Sequence, residues 1–381
     1  MQATKKTIFT LTFIFLVAGC GPKPRTSESV LDNPEFHVSQ GMKLLQRGDL
    51  NDAELSFQKA LELDNRYTPA ISGLALVKAS RKDYKGAFKE ADDAVELNKD
   101  SAFSWAVRAR VKSLWRKDDN WANDANDDFK RALKLDPENE QYLFWYGQAK
   151  EWQYDFAGAT EQFGRIIEKK GEYTARADQE LALVQKILRA APGSRLGMKI
   201  ALLSEITRAD LAVLFLEELK LREVFDRLGE KKYDTNYKPP TDPNESGESE
   251  SFGVDVPTDV VGHWARTWIM QVIETGVMEP DADGKFYPDE KITRAEYALL
   301  LQNILITVMH DPDLATRYIG EESRFKDMRS GTATYNAAAL AVDRGVMQAT
   351  VEGTFDPMKT VSGADALLII RQFQNHLRMT F

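Results

Sequence analysis

The sequence predicts a mainly α-helical protein, with a helical repeat region followed by a mostly helical domain of three related modules. Two periodicities carry this prediction. Small and aromatic residues recur about every 34 residues in the first half, and three sequence blocks recur at an offset of 69 residues in the second half. Fixed periods are typical of stacked or repeated structural units. At 381 residues the chain is long enough for two or three domains.

Residues 1–19 have the composition of a signal peptide, because two lysines precede an uncharged apolar run that ends at Gly19. This run is too short for a stable transmembrane helix. Small residues directly before Cys20 resemble the lipobox at which bacterial lipoprotein precursors are cleaved and acylated. The resemblance implies a lipid anchor on Cys20, followed by a tether over residues 20–33. The alternative is an ordinary secretory peptide with an incidental cysteine.

The composition excludes several classes of function. Cys20 is the only cysteine, so an internal disulfide or a multi-thiolate metal site is excluded. The formal net charge of −9 argues against nucleic acid as a partner. The four histidines have no metal-ligand spacing, and no phosphate loop, dinucleotide fingerprint or nucleophile elbow is present. We therefore expect no cofactor, no metal and no enzymatic activity. A wall-active enzyme with an unrecognised acid pair is the less favoured alternative.

The first repeat is a pattern of small and bulky residues at one-turn spacing on a helix. It predicts four helix pairs over residues 34–171, in which small residues let helices approach closely while phenylalanines fill the space between pairs. The third copy carries an insertion of four residues near 118–121, which predicts a widened turn. The four copies are Ala53, Phe57 and Ala60; Ala87, Ala91 and Ala94; Ala125, Phe129 and Ala132; and Ala159, Phe163 and Ile166.

These positions, with Ala-Leu-Glu-Leu-Asp at 60–64 and Ala-Leu-Lys-Leu-Asp-Pro at 132–137, resemble the tetratricopeptide repeat family. The resemblance implies a curved solenoid whose concave face binds a protein or peptide. Aromatic residues at helical spacing are more often core than binding surface. The residues that the family pattern places toward the concave face are Met42, Phe103, Arg110, Phe144 and Trp152.

The second repeat defines modules at 172–228, 259–310 and 323–377, and the first of these is degenerate. A linker over residues 229–258, rich in proline, serine and glutamate, is predicted to be disordered. The recurring blocks are Gly-Val-Met at 276–278 and 345–347, Gly-x-Phe-x-Pro at 284–288 and 353–357, and Ile-Thr-Arg-Ala-Glu at 292–296, with variants at 206–210 and 361–365.

Together with Asp-Val-Val-Gly-His-Trp-Ala at 259–265, these blocks resemble the S-layer homology module. Three such modules commonly assemble into one pseudo-threefold unit with grooves between modules, and in that family they bind cell-wall polymers. The resemblance therefore implies a wall polymer as partner, either peptidoglycan or a secondary, acidic wall glycan.

The Thr-Arg-Ala-Glu block combines a structural and a candidate binding role. Thr293 and Glu296 form a predicted capping box ahead of an apolar helix. Arg208 and Arg294 lie at the first helical turn, where positive charge is unfavourable with the helix dipole, so an anion held by the arginine and free helix amides is one interpretation. A solvated surface role is the other. Gly363 replaces the arginine in the third module.

Further residues complete the predicted wall-polymer site. Trp264 and Trp268 form a possible platform for a sugar face, or belong to the core. Gly276 and Gly284 allow close approach of the backbone. Thr293 completes the set with the two arginines.

The predicted function is a non-enzymatic adaptor of the cell envelope, held in a membrane by lipid, binding wall polymer through its modules and a protein through its repeats. By resemblance to lipoprotein sorting in two-membrane bacteria, Gly21 after Cys20 suggests the periplasmic face of an outer membrane, whereas a single-membrane host would place the protein outside the cell. The alternative is an assembly factor for outer-membrane or surface proteins, which the modules only localise.

Overall fold

The computed structural model describes residues 25–27, 29, 32–227 and 255–380, without the side chains of 226–227 and 378–380. The predicted signal peptide, Cys20, part of the tether and most of the predicted linker lie outside these residues. The described chain is helical, and its extended segments form only isolated β-bridges. The mainly α-helical fold class is therefore confirmed. Within the same residues, no helix has both the length and the apolar character needed to cross a membrane.

The chain divides into two compact units, residues 1–145 and 146–381, and the division falls inside the helix Glu140–Trp152. The sequence places its boundary later, at residue 171, and those domain limits stay predictions. The first helices are α1 (Pro34–Arg47), α2 (Leu50–Leu63), α3 (Thr68–Ser80), α4 (Tyr84–Leu97), α5 (Ala102–Trp115), α6 (Trp121–Leu135) and α7 (Glu140–Trp152).

The second unit continues with α8 and α9 and then contains the three modules. Its remaining helices are α8 (Phe156–Lys169), α9 (Thr174–Ala190), α10 (Arg195–Ala201), α11 (Arg208–Glu217), α12 (Leu221–Arg227), α13 (Arg266–Glu274), α14 (Arg294–Met309), α15 (Ala333–Asp343) and α16 (Gly363–Thr380), with a 3₁₀ helix at Pro312–Ala315.

In the first unit, helices pack as the antiparallel pairs that the period predicts, α1 with α2, α3 with α4 and α5 with α6. Phe57 is fully buried between neighbouring pairs. A Cβ atom added to Gly41 or Gly73 would lie 2.6 Å or 2.3 Å from the Phe57 ring. The two glycines are therefore required by the close approach of this ring. Phe129, and Phe163 in the second unit, are also fully buried, as predicted.

The insertion in the third copy widens a turn. The α5–α6 connection spans residues 116–120, whereas the α1–α2 and α3–α4 connections span only 48–49 and 81–83. Arg116 enters the longer turn with φ of 45° and donates its backbone N–H to Lys112 O. The extra residues thus leave the helix pairing intact.

Two helices of the second unit begin with the predicted capping boxes. The Thr293 backbone N–H and hydroxyl both donate to Glu296 Oε2, at 2.8 and 2.9 Å, and the Glu296 N–H donates to Thr293 Oγ1. Thr207 and Asp210 repeat this arrangement at the start of α11. In the third module, the Asp365 N–H donates to Ser362 Oγ at 3.2 Å.

We expect Thr293→Ala to lower the free energy of unfolding by about 1 kcal/mol, because the Glu296 N–H loses its acceptor. Urea unfolding followed by tryptophan fluorescence measures this change. Thr293→Ser retains the hydroxyl and is the matched control. Equal loss in both variants would contradict the capping role.

The three capped segments meet in a closed ring of backbone hydrogen bonds. Ile206 N–H donates to Val361 O at 2.9 Å, Val361 N–H donates to Ile292 O at 3.0 Å, and Ile292 N–H donates to Ile206 O at 3.1 Å. Each module thus donates to one neighbour and accepts from the other. This ring is the pseudo-threefold centre that the resemblance implied, and it places each helix start beside a loop of the next module.

Candidate functional site

The first groove lies between the start of α11 and the loop of the second module. Arg208 crosses it, with Nε donating to Phe286 O at 2.8 Å and Nη2 donating to Glu279 O at 3.2 Å. Its guanidinium carbon lies 4.9 Å from the centre of the Phe286 ring. These contacts fix one edge of the guanidinium and hold its plane over an aromatic ring. The side chain is half-buried.

The second groove repeats this geometry between α14 and the loop of the third module. Arg294 Nε donates to Phe355 O at 2.8 Å, Nη2 donates to Gln348 O at 2.7 Å, and the guanidinium lies 4.7 Å from the Phe355 ring centre. Burial lowers the pKa of Arg294, while the carboxylates of Asp356, Asp365 and Asp327 act in the opposite direction. Three carboxylates thus act on the arginine of the second groove.

The helix amides beside these arginines are already used. Arg208 N–H and Ala209 N–H donate to Glu290 O and Pro288 O, both at 2.9 Å. Arg294 N–H and Ala295 N–H make the equivalent bonds to the third module. The expectation of free helix amides that hold an anion is therefore wrong, because the neighbouring module supplies their acceptors. Any anion recognition here depends on the arginine side chains.

The third junction, where α16 begins against the first module, is closed by packing at Gly363. Gly363 N–H donates to Leu203 O at 2.9 Å. A Cβ atom added at Gly363 would lie 1.7 Å from Ile200 O and 3.1 Å from Ala201 Cα. No side chain fits between α16 and the end of α10. This explains physically why glycine stands where the other modules carry arginine.

The loops that accept from the arginines are shaped by two aspartates. Asp259 accepts from the N–H groups of Phe286 and Tyr287, and Asp327 accepts from those of Phe355 and Asp356, at 2.7–3.0 Å. Tyr287 and Asp356 have φ values of 54° and 55°, an uncommon conformation that these paired bonds stabilise.

Sequence reasoning missed the role of these aspartates. A signal was present, since each lies 27 or 28 residues before the phenylalanine of its Gly-x-Phe-x-Pro block.

The repeated loop, aspartate and capped helix lie in two segments that match one known domain. Residues 258–298 and 324–367 match the S-layer homology domain. The curated "Surface-layer 125 kDa protein" of Lysinibacillus sphaericus is 26% identical over 110 residues, which cover 29% of this chain and 8% of that protein. The two S-layer homology domains indicate association with the cell envelope.

Solved structures similar to this chain include repeat proteins. For a thermophilic TPR protein of Thermus thermophilus, the match covers 51% of this chain and 97% of that one, with 15% identity and a TM-score of 0.35. For a tetratricopeptide repeat protein from Parabacteroides merdae it covers 89% and 98%, with 14% identity and a TM-score of 0.29. For the MamA protein it covers 40% and 81%, with 19% identity and a TM-score of 0.29.

The second module, where residues 258–298 match the S-layer homology domain, exposes part of an aromatic cluster. Trp264 is 54% exposed, and its ring centre lies 6.2 Å from that of Trp268 and 5.7 Å from that of His263. Trp268 is half-buried and its Nε1–H donates to Glu217 Oε1 at 2.9 Å. Trp264 therefore offers an open aromatic face, while Trp268 also joins α13 to α11.

Gly276 and Gly284 are exposed and have φ values of 71° and 78°. No atom lies within 4 Å of a Cβ built on either residue. The positive φ values alone therefore explain why glycine occupies these two positions. Thr293 uses its hydroxyl in the capping box, and its part in a wall-polymer site stays a prediction.

The predicted partner residues of the repeats differ in exposure. In the first unit, Met42 is half-buried against the core around Phe57. Phe103 is half-buried and lies 6.5 Å from Tyr142 between ring centres. Half-buried Arg110 has its guanidinium 6.0 Å from the Trp145 ring centre. In the second unit, Trp152 is half-buried on α7.

Phe144 is only 1% exposed. Its assignment to a partner-binding surface is therefore wrong, because burial in the core outweighs the position that the family pattern gives it. Met42, Phe103, Arg110 and Trp152 stay predictions.

Among the residues that the structure describes, no group of three or more histidine, cysteine, aspartate or glutamate side chains is placed to hold a metal ion. S-layer homology domains, which residues 258–298 and 324–367 match, are typically non-catalytic binding domains. The chemistry available in the grooves is hydrogen bonding, charge and aromatic contact.

Proposed function

We propose that this chain is an adaptor of the cell envelope, in which the first groove binds an anionic cell-wall polymer and the repeat helices bind a protein partner. A lipid on Cys20 would hold it in a membrane, on the periplasmic face of an outer membrane. Once one site is bound, the other sites are held near their ligands. The effective concentration of those ligands is then high, so each further binding event is more probable than it would be for a free protein.

The geometry of Arg208 carries the wall-polymer proposal. A guanidinium has five N–H donors, and two of those of Arg208 bond to backbone carbonyls. In the described part of the chain, the other three have no hydrogen-bond acceptor. A guanidinium held in position with unused donors is suited to a carboxylate or phosphate of an acidic glycan.

The first groove is favoured over the second because a tyrosine, and not a carboxylate, follows the phenylalanine on which its arginine lies. Asp356 stands beside Arg294, whereas the corresponding position in the first groove is Tyr287, which is 38% exposed. A carboxylate next to the arginine repels an anionic ligand. An exposed tyrosine ring instead offers a face for a sugar, as does Trp264.

We expect Arg208→Ala to weaken binding of the purified chain to cell-wall sacculi about tenfold, the effect of one lost charge-assisted hydrogen-bonding group. Arg294→Ala should weaken binding less than threefold, on the order of a few tenths of a kcal/mol. Cosedimentation at several salt concentrations measures both effects. Arg195→Ala, which changes an exposed arginine on α10, is the matched control.

Folding of each variant is checked by circular dichroism. Saturable binding that survives Arg208→Ala would contradict a role for the first groove. Absence of binding by the unaltered chain would instead favour modules that act only as a scaffold, and would leave the repeats as the binding part.

A further inference from the structure

A cluster of hydrogen-bond acceptors lies between α7 and α9 in the second unit. Gln148 and Glu151 are three residues apart on α7 and therefore share one helical face. Gln148 Nε2 donates to Glu180 Oε1 of α9 at 3.0 Å. The charge of Glu180 also acts on Glu151. We call Gln148, Glu151 and Glu180 the acceptor cluster.

Two buried oxygen atoms of this cluster have no hydrogen-bond donor in the described chain. They are Oε1 of Glu151 and Oε1 of Gln148. The Glu151 side chain belongs to a residue that is only 4% exposed. Burial, and secondly the charge of Glu180, raises the pKa of Glu151 to about 9. The fold thus places a carboxyl group where its charged form is disfavoured, and no cation among the described residues pairs with it.

The arrangement favours an organic ammonium over a metal ion. Calcium takes six to eight oxygen ligands and magnesium takes six, whereas this cluster supplies two buried oxygen atoms without a donor, on Gln148 and Glu151. An ammonium group carries three donors and no acceptor. Gln148 and Glu180 are half-buried, so the cluster opens to solvent on their side.

Trp152 provides a second element of the site. It follows Gln148 by four residues on α7, on the same helical face, and is half-buried. Its indole offers apolar surface along which the methylene groups of a lysine side chain can pack while the ammonium enters the cluster.

We propose that the acceptor cluster binds a primary ammonium group of the kind that a lysine side chain presents. The biological use of this site rests on the proposed binding of a protein by the repeats. The site makes that proposal more specific, because the group recognised would be a basic side chain of the partner. The cation would pair with the carboxylate of Glu151, donate a hydrogen bond to Gln148 Oε1, and lie near the charge of Glu180 at the solvent side.

The test is an NMR titration of the full chain, labelled with ¹⁵N-tryptophan, with n-butylammonium as the probe. The chain has seven tryptophans, and Trp152→Phe assigns the relevant indole signal. We expect saturable shifts of the Trp152 indole with n-butylammonium and none with 1-butanol, which has the same alkyl chain without the charge. The other indoles report non-specific effects.

Glu151→Gln should weaken binding of n-butylammonium at least tenfold, whereas Glu172→Gln, at an exposed position, should leave it unchanged. Equal shifts with 1-butanol, retained binding in Glu151→Gln, or displacement of the probe by millimolar calcium would each overturn the proposal. Failure of the repeats to bind any protein would be seen separately, by crosslinking in cells, and does not alter the titration.

Discussion

Gly363→Ala is expected to destabilise the second unit by about 3 kcal/mol or more, since overpacking a tight core contact typically costs about 1–3 kcal/mol and here the clash is with backbone. The added Cβ would lie 1.7 Å from Ile200 O. Either α16 or the end of α10 must move, and the bond from Gly363 N–H to Leu203 O is strained or lost. Thermal and urea unfolding of the purified chain measure the loss.

Gly331→Ala is the matched control, because nothing lies within 4 Å of a Cβ at Gly331 and its φ is compatible with alanine. We expect it to leave stability within about 0.5 kcal/mol of the original. Similar unfolding midpoints for both alanine variants would show that the third junction tolerates a side chain, and would refute the packing explanation for glycine at position 363.

Glu151→Gln is expected to stabilise the protein more at high pH than at low pH. The pKa of Glu151 is raised from 4.5 to about 9. Between these values the unfolded chain releases the proton and the folded chain retains it, so stability present below about pH 4.5 is lost as pH rises. Glutamine cannot ionise, so the variant avoids this loss. We expect a gain of about 4–5 kcal/mol at pH 8 and less than about 1 kcal/mol at pH 5.

Urea unfolding at the two pH values measures this difference, with Glu172→Gln as the exposed control. A gain for Glu151→Gln that is the same at both pH values would contradict a raised pKa and point to a packing effect. Loss of stability at pH 8 would show that the carboxylate is already paired when folded.

Local patterns made much of this fold predictable. The spacing of Ala53, Phe57 and Ala60 is a property of one helix face, so the pattern identifies the helix and its buried side without further information. The capping boxes of Thr207 and Thr293 are also local, because donor and acceptor lie three residues apart. For these features the interacting residues are close together in the sequence, so the interaction can be predicted from it.

The remaining features depend on partners that are distant in the chain. Arg208 bonds to carbonyls at 279 and 286, and this could not be inferred before the order of the modules around the ring was known. Gly363 is explained by Ile200, and the unpaired oxygen of Glu151 only becomes meaningful beside Glu180. Phe144 was misassigned for the same reason, since its burial depends on tertiary packing.

The ring of three backbone hydrogen bonds can close only after all three modules have been synthesised. The amide of Ile206 pairs with Val361, which is made 155 residues later. Until then α11 lacks this neighbour, although its segment Leu211–Phe215 is fully buried in the folded protein. Closure of such distant contacts is slow and leaves apolar surface uncovered in the growing chain.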